Sequence, residues 1–289
     1  MSLSKLGSTS TCAQVTPGLL TTALFELTPE ARIVKAAPTE LIRRSNKGEL
    51  TGVRYSGTGI EQGESGELEG VTAVVLANGP WLGRLATDLL GPRIGDKLDV
   101  DGQKAHSVVF RIAEEAQSLV TARTSATFYR NCIPFHSCLT LRMLKHARPP
   151  SADALFTSLT FPSGEAADPE VYPRSDGTVY LCGSTSSALL PELASEVEPD
   201  DKPMAELVAH ASALSPLFSP IKGGSIERRQ ACFLPSASRG RPLIGKVPGA
   251  EGVWVGGGLS CWGITLGASR HAFTAPAGIM RQTRLCSQN

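Results

Sequence analysis

The chain has 289 residues and a mass of 30.4 kDa, enough for one large or two small domains with a sizeable core. Its hydrophobic share of 41%, charged share of 19% and formal net charge of +1 are ordinary for a globular protein, and they exclude broad electrostatic attraction to nucleic acid or anionic membrane. No apolar run approaches the ~18 residues of a membrane span, and the Ser/Thr-rich start, Met1 to Thr11, lacks the apolar core of a secretory signal.

The predicted elements begin at Gln14-Val15-Thr16-Pro17, a turn leading into a helix through Leu24. Arg32 to Lys35 and Thr39 to Arg44 read as strands separated by Pro38. Asn46-Lys47-Gly48 is a hairpin turn, and Leu50 to Tyr55 alternates as the returning strand. Ser56 to Gly70, rich in glycine and glutamate, reads as a solvated loop. Val71 to Ala77 is near-continuously apolar, the pattern of a strand buried on both faces of an α/β sheet. Asn78-Gly79-Pro80 makes a turn, and Trp81 to Leu90 reads as a helix. A turn at the carboxyl end of such a strand is where open α/β sheets bind ligands. Trp81 fits either a ring packed over a cofactor or a buried aromatic at a helix start.

Lys104 to Arg111 is another strand, with His106 as a structural histidine or a cavity-facing one. Thr121 to Pro150 mixes Cys132, His136 and Cys138 with five basic residues; the spacing fits no common zinc pattern, and an insertion loop is expected. Ala154 to Leu159 and Val171 to Gly183 supply further strands, the latter a hairpin about Asp176-Gly177. Pro203 to Leu214 has helical spacing, and Ile226 to Phe233 is a strand. The seven cysteines are irregularly spaced, with no Cys-x-x-Cys and only five scattered histidines, so no metal site is expected. Reduced thiols in a cytoplasmic protein are the natural reading. Nothing in the sequence sets the oligomeric state.

The most informative stretch comes last. Gly240-Arg241-Pro242-Leu243-Ile244-Gly245 precedes the short apolar run Val253-Trp254-Val255, then Gly256-Gly257-Gly258-Leu259-Ser260-Cys261-Trp262-Gly263-Ile264-Thr265-Leu266. A buried strand feeds a helix start at Cys261 or Trp262 through a backbone free of side chains. Such a turn is either a tight crossover or a place where a ligand meets bare main chain.

Two blocks give the chain a resemblance. Arg241-Pro242-Leu243-Ile244-Gly245 with Gly258-Leu259-Ser260-Cys261-Trp262-Gly263-Ile264-Thr265-Leu266 is similar to the C-terminal FAD-binding part of the D-amino-acid oxidase/glycine oxidase/sarcosine oxidase family. Val74-Val75-Leu76-Ala77-Asn78-Gly79-Pro80-Trp81 resembles that family's strand ending beneath the cofactor. The hairpin Tyr172-Pro173-Arg174-Ser175-Asp176-Gly177-Thr178-Val179-Tyr180 resembles one in its substrate domain.

The likeness implies an α/β fold, a partial Rossmann-like FAD-binding domain interleaved with a mostly antiparallel substrate-domain sheet. The implied boundaries are 13–103 for the first FAD-binding part with the start of the substrate domain, and 104–233 for the substrate domain with the unmatched insertion 121–150. Residues 234–289 then form the C-terminal FAD-binding part and a divergent tail. The resemblance implies FAD contact from Ala77, Asn78, Gly79, Trp81, Pro242, Gly258, Ser260, Cys261, Trp262, Gly263, Ile264 and Thr265. Covalent attachment through Cys261 is weighed against a small residue in a tight turn. The implied activity is oxidation of a C–N bond of an amine or amino-acid-like small molecule by hydride transfer to flavin, with no catalytic side chain named.

Two departures qualify that implication. The chain holds no Gly-x-Gly-x-x-Gly turn in strand–helix context, the family's pyrophosphate clamp. Leu234 stands where many amine-oxidising relatives place a carboxylate-binding arginine. The alternative expectation is a non-catalytic or truncated descendant acting as a binding or trafficking-associated protein.

Overall fold

The computed structural model describes residues 13–44, 48–57, 63–112, 154–174 and 176–267. The insertion 121–150, the hairpin residues Asn46 and Lys47, and the tail beyond Gly267 lie outside them. Two compact units alternate along the chain. One is built from 1–21, 104–187 and 191–232, the other from 22–103, 188–190 and 233–289.

The second unit holds two small sheets. In one, β1 (Ala37–Arg44), β2 (Glu49–Ser56) and β3 (Gly66–Glu69) lie side by side, all antiparallel. In the other, β4 (Val74–Leu76) lies parallel to β13 (Val253–Gly257), which pairs antiparallel with β12 (Leu243–Lys246). Helix α2 (Leu82–Leu90) carries Leu82, Leu85, Ala86, Leu89 and Leu90 at helical spacing, and all five enter the unit's core. Gly91, at φ 81°, ends it, and Pro92 opens the single turn α3 (Pro92–Gly95). Leu41, Leu50, Leu76, Leu98, Val100, Val247, Val253 and Val255 complete that core.

Three expectations for this unit are corrected. Arg32 to Lys35 is not a strand, and Pro38 lies inside β1. The proline is tolerated where β1 ends its sheet and the register slips between Pro38 and Glu40. The expected solvated loop contains β3, whose Glu67 and Glu69 point outward while Gly66 and Leu68 are half-buried. Arg54 of β2 holds it by bridging Glu40 and Glu67 on the strands either side. Val71 to Ala77 yields only the three residues of β4, and Val75 is 46% exposed while Leu76 is 3% exposed. The apolar run is thus not covered on both faces, and β4 also ends its sheet, with only β13 beside it among the described residues.

The first unit is one antiparallel sheet in the order β11 (Ser225–Ala237), β5 (Val100–Arg111), β10 (Thr178–Ser186), β9 (Glu170–Pro173) and β6 (Leu155–Phe156). A two-stranded ribbon of β7 (Leu159–Thr160) and β8 (Ala166–Ala167) stands apart from it. One sheet face is covered by helix α4 (Asp201–Leu214). Its Met204, Leu207 and Ala211 pack with Val108, Phe110, Ile112, Val171, Val179 and Leu181 into a second core. Helix α1 (Pro17–Glu26) forms where expected, with none of its residues buried.

A β-bulge interrupts the pairing of β10 with β5: Cys182 faces Ser107, whereas Ser184 faces His106. Gly183 is the extra residue, at φ 134°, and a Cβ there would meet the Cα of Pro169 at 2.9 Å. Beyond the bulge Ser184 and Ser186 lie on the helix-covered side, where the Oγ of Ser184 donates to Glu206 at 2.8 Å and that of Ser186 to Asp200 at 2.5 Å.

Candidate cofactor site

The parallel register of β4 and β13 sets Val74 against Val253 and Leu76 against Val255, so both strands end at one sheet edge. Residues 77–81 and 257–265 therefore leave the same edge, the position at which open parallel sheets accept ligands. The antiparallel β12 starts at Leu243 opposite Gly257, which brings Pro242 to that edge as well. Residues 77–81 and 257–265 thus follow the carboxyl ends of two neighbouring strands, and Pro242 precedes the start of the third.

After β4, Ala77 is exposed, and Gly79, at φ 61°, opens a single 3₁₀ turn, Gly79–Trp81, that leads into α2. Pro80 is buried and Trp81 half-buried. The Oδ1 of Asn78 is buried with no hydrogen-bond partner among the described residues. Leaving such an acceptor unpaired costs about 1–3 kcal/mol, so the position suits a group that brings its own donor.

After β13 the glycines have steric reasons. A Cβ on Gly257 would meet Leu82 Cδ2 at 2.9 Å, and one on Gly258, at φ 69°, would meet the Cβ of Ala237 at 2.8 Å. Leu259 bridges to Ser236, and Ser260 adopts φ 50°, the left-handed region that a serine enters only under local constraint. A 3₁₀ turn (Ser260–Trp262) passes into the short α5 (Gly263–Gly267). Trp262 is 60% and Ile264 48% exposed; Cys261 and Thr265 are exposed too, and Gly263 is half-buried. The edge combines bare backbone, one orphaned acceptor and uncovered apolar side chains, which fits a flat heteroaromatic group carrying N–H donors.

Of the other residues weighed, Leu234 is half-buried on β11, and Arg239 and Arg241 are exposed in the turn before β12. His106 is a structural residue, with a wholly buried side chain on the helix-covered side of the other unit's sheet. Its Nε2 lies 3.3 Å from an oxygen of Asp200, out of line for a hydrogen bond, and its Nδ1 has no partner among the described residues. Asp200 precedes α4 but does not cap it with its side chain. The carboxylate instead accepts from Lys104 Nζ at 2.6 Å and from Ser186. Those two hydrogen bonds, the lysine's first, hold it below the usual carboxylate range.

The sequence also leaves unmarked a polar cluster on the face of the β9–β10 hairpin turned away from α4. Tyr172 lies opposite Tyr180, and Glu170 opposite Cys182. The Tyr172 hydroxyl donates to Glu170 Oε2 at 2.5 Å, and the Cys182 thiol lies 3.9 Å from the same oxygen. Burial first, and Glu170 after it, pushes the Tyr172 hydroxyl well above its ordinary range and the Cys182 thiol up to about 12. Burial, then the neighbouring Cys182, pushes Tyr180 up to about 12. All three stay protonated donors at neutral pH. The alternating Glu170-Val171-Tyr172 triplet was the one local signal of this face.

The described residues hold no helix long and apolar enough to cross a membrane, and no His/Cys/Asp/Glu group able to hold a metal. The DAO family, described as FAD dependent oxidoreductase, matches residues 6–269. The protein C1F5.03c of Schizosaccharomyces pombe is 36% identical over 118 residues, 40% of this chain and 29% of its own length. TDA3 of Saccharomyces cerevisiae is 29% identical over 203 residues, 68% of this chain and 30% of its own. Both carry oxidoreductase in their names, and the chain spans under a third of either. The fold is similar to that of iminodiacetate oxidase from Chelativorans sp. BNC1, with a TM-score of 0.52 at 14% identity, over 92% of this chain and 55% of that one.

Proposed function

The chain belongs to the DAO family of FAD-dependent oxidoreductases, and on that footing we propose that it binds the flavin end of FAD and oxidises a C–N bond of an amine or amino-acid-like small molecule. The observation that supports this reading is the parallel pairing of β4 with β13, from whose carboxyl ends residues 77–81 and 257–265 run on. Bound flavin supplies the acceptor for a hydride from the carbon next to the substrate nitrogen.

The chain's own residues bind and orient. Gly79, with open space where a side chain would stand, leaves main chain accessible to a ring, and Asn78 Oδ1 accepts from an N–H of the cofactor. Trp81, Trp262 and Ile264 cover apolar surface, while Ala77, Pro242, Ser260, Cys261, Gly263 and Thr265 frame the edge. Cys261 has no bonded partner and acts as a small turn residue. The reduced-thiol composition supports placing the protein in the cytoplasm.

The test is the flavin absorbance of the purified chain, with FAD released by denaturation and counted per protein. Near-stoichiometric FAD is expected, followed by bleaching of the oxidised band on anaerobic addition of a turned-over amine. No flavin after excess FAD is added to folded protein would overturn the reading.

A further inference from the structure

We propose that the first half of β11, residues 225–232, is a docking edge for an extended acidic segment of another protein, which adds to the sheet as an antiparallel strand. The inference stands apart from the oxidoreductase reading above.

The strand ends its sheet, with β5 on one side and no strand on the other among the described residues. Its outer edge therefore turns backbone N–H and C=O groups toward any strand that approaches. Side chains on a strand alternate between two faces, yet residues 225–229 are all exposed. Neither face of this half is covered, so an added strand has room on both sides.

The charges choose the partner. Glu227 is already neutralised, because its Oε2 accepts from Arg111 Nε on the neighbouring β5 at 2.6 Å. Arg228 and Arg229 form no ion pair among the described residues, and they point to opposite faces. Lys222, just before the strand, is exposed as well. Residues opposite each other across an antiparallel pair share a face, where opposite charges stabilise and like charges destabilise. The partner therefore sets two consecutive carboxylates against Arg229 and Arg228. Ile226, 38% exposed, shares the face of Arg228, so it meets a side chain two positions after the second carboxylate. Read in its own direction, the partner runs acid, acid, polar, apolar.

The same charges argue against a second copy of this chain. Because paired residues share a face, a symmetric antiparallel pair sets one residue opposite itself. Centred on Glu227, Arg228 or Arg229, the pair brings a charge against its own kind.

The experiment titrates the ¹⁵N-labelled full chain with the peptide Thr-Glu-Glu-Thr-Val-Thr and follows the amide signals of residues 225–232. Three further peptides carry Gln-Gln in place of Glu-Glu, Lys-Lys in place of Glu-Glu, or N-methyl groups on every backbone amide of the original. Saturable shifts are expected with the acidic peptide. The Gln-Gln peptide should bind roughly tenfold more weakly, the order expected for two lost cross-strand charge pairs, and the N-methylated one should not bind. The double variant Arg228→Glu, Arg229→Glu should lose the acidic peptide and take the Lys-Lys one. The site is overturned by no shift at 225–232, by equal binding of the Gln-Gln or N-methylated peptide, or by sedimentation showing that these residues pair with a second copy instead. An unchanged preference in the double variant, with its other signals in place, overturns it too; if those signals move, the peptide series on the parent chain decides.

Discussion

Asp200 serves three neighbours with two oxygens. Lys104 and Ser186 donate to it, His106 lies against it, and Lys104 and His106 are almost wholly shielded from water. Burying a lysine and a histidine on one sheet face is tolerable because a carboxylate stands between them. The folded carboxyl titrates below its unfolded value, near ~3.9 for an aspartate. Its stabilising contribution is therefore fully present above the unfolded value and is lost as pH falls through the lower folded one. Asp200→Asn should lower Tm at pH 7, and the gap to the parent should narrow as pH drops below about 4. Asp176 adds to the acid limb. Burial raises its carboxyl, but the hydrogen bonds from Thr178 outweigh that and leave it lowered. Scanning calorimetry of variant and parent across that range isolates Asp200, since Asp176 is common to both. A gap that widens toward acid would contradict the assignment.

At the scale of the element, the two turns of the candidate site differ in how tightly they are built. Gly79 and Gly258 both sit at positive φ, where a non-glycine residue costs about 1–2 kcal/mol. A Cβ on Gly79 enters open space, whereas one on Gly258 collides with Ala237. Urea denaturation should show Gly79→Ala destabilised by roughly that backbone cost and Gly258→Ala by more; equal losses would mean that Ala237 yields freely. These turns were legible because glycines and tryptophans follow short apolar runs, a signal contained in the local sequence. What surrounds a strand is not local. Val71 to Ala77 looks buried on both sides, yet Val75 is exposed and, among the described residues, only β13 lies beside β4. The Glu170 cluster depends on the register of a hairpin, and the Lys104–Asp200 pair joins residues 96 positions apart. The pair leaves no motif to read, and the cluster leaves only the short alternation of residues 170–172.

For the whole molecule, the two cores share no residue. Leu82, fully buried, belongs to the one and Leu207, equally buried, to the other. Each leucine-to-alanine change should cost about 2–5 kcal/mol through lost transfer energy and a residual cavity. With no common partner, the double variant should cost the sum of the two to within about 0.5 kcal/mol. The cycle is read from denaturant unfolding at equilibrium, and a larger coupling term would show that the cores communicate. The alternation of the two units along the chain, expected from the motif order, reflects a path that leaves one core and returns to it, which no single window of sequence displays.

The bulge at Gly183 acts as a parity switch. A strand assigns side chains to its two surfaces as odd and even, and one added residue exchanges the assignment for everything downstream. Upstream, Cys182 belongs with the Glu170 cluster; downstream, Ser184 and Ser186 belong with Glu206 and Asp200. Substitutions along β10 leave that ledger of odd and even intact. Loss of residue 183 would close the bulge without moving either cluster: Cys182 and Ser184 would become neighbours on opposite faces, still opposite Ser107 and His106.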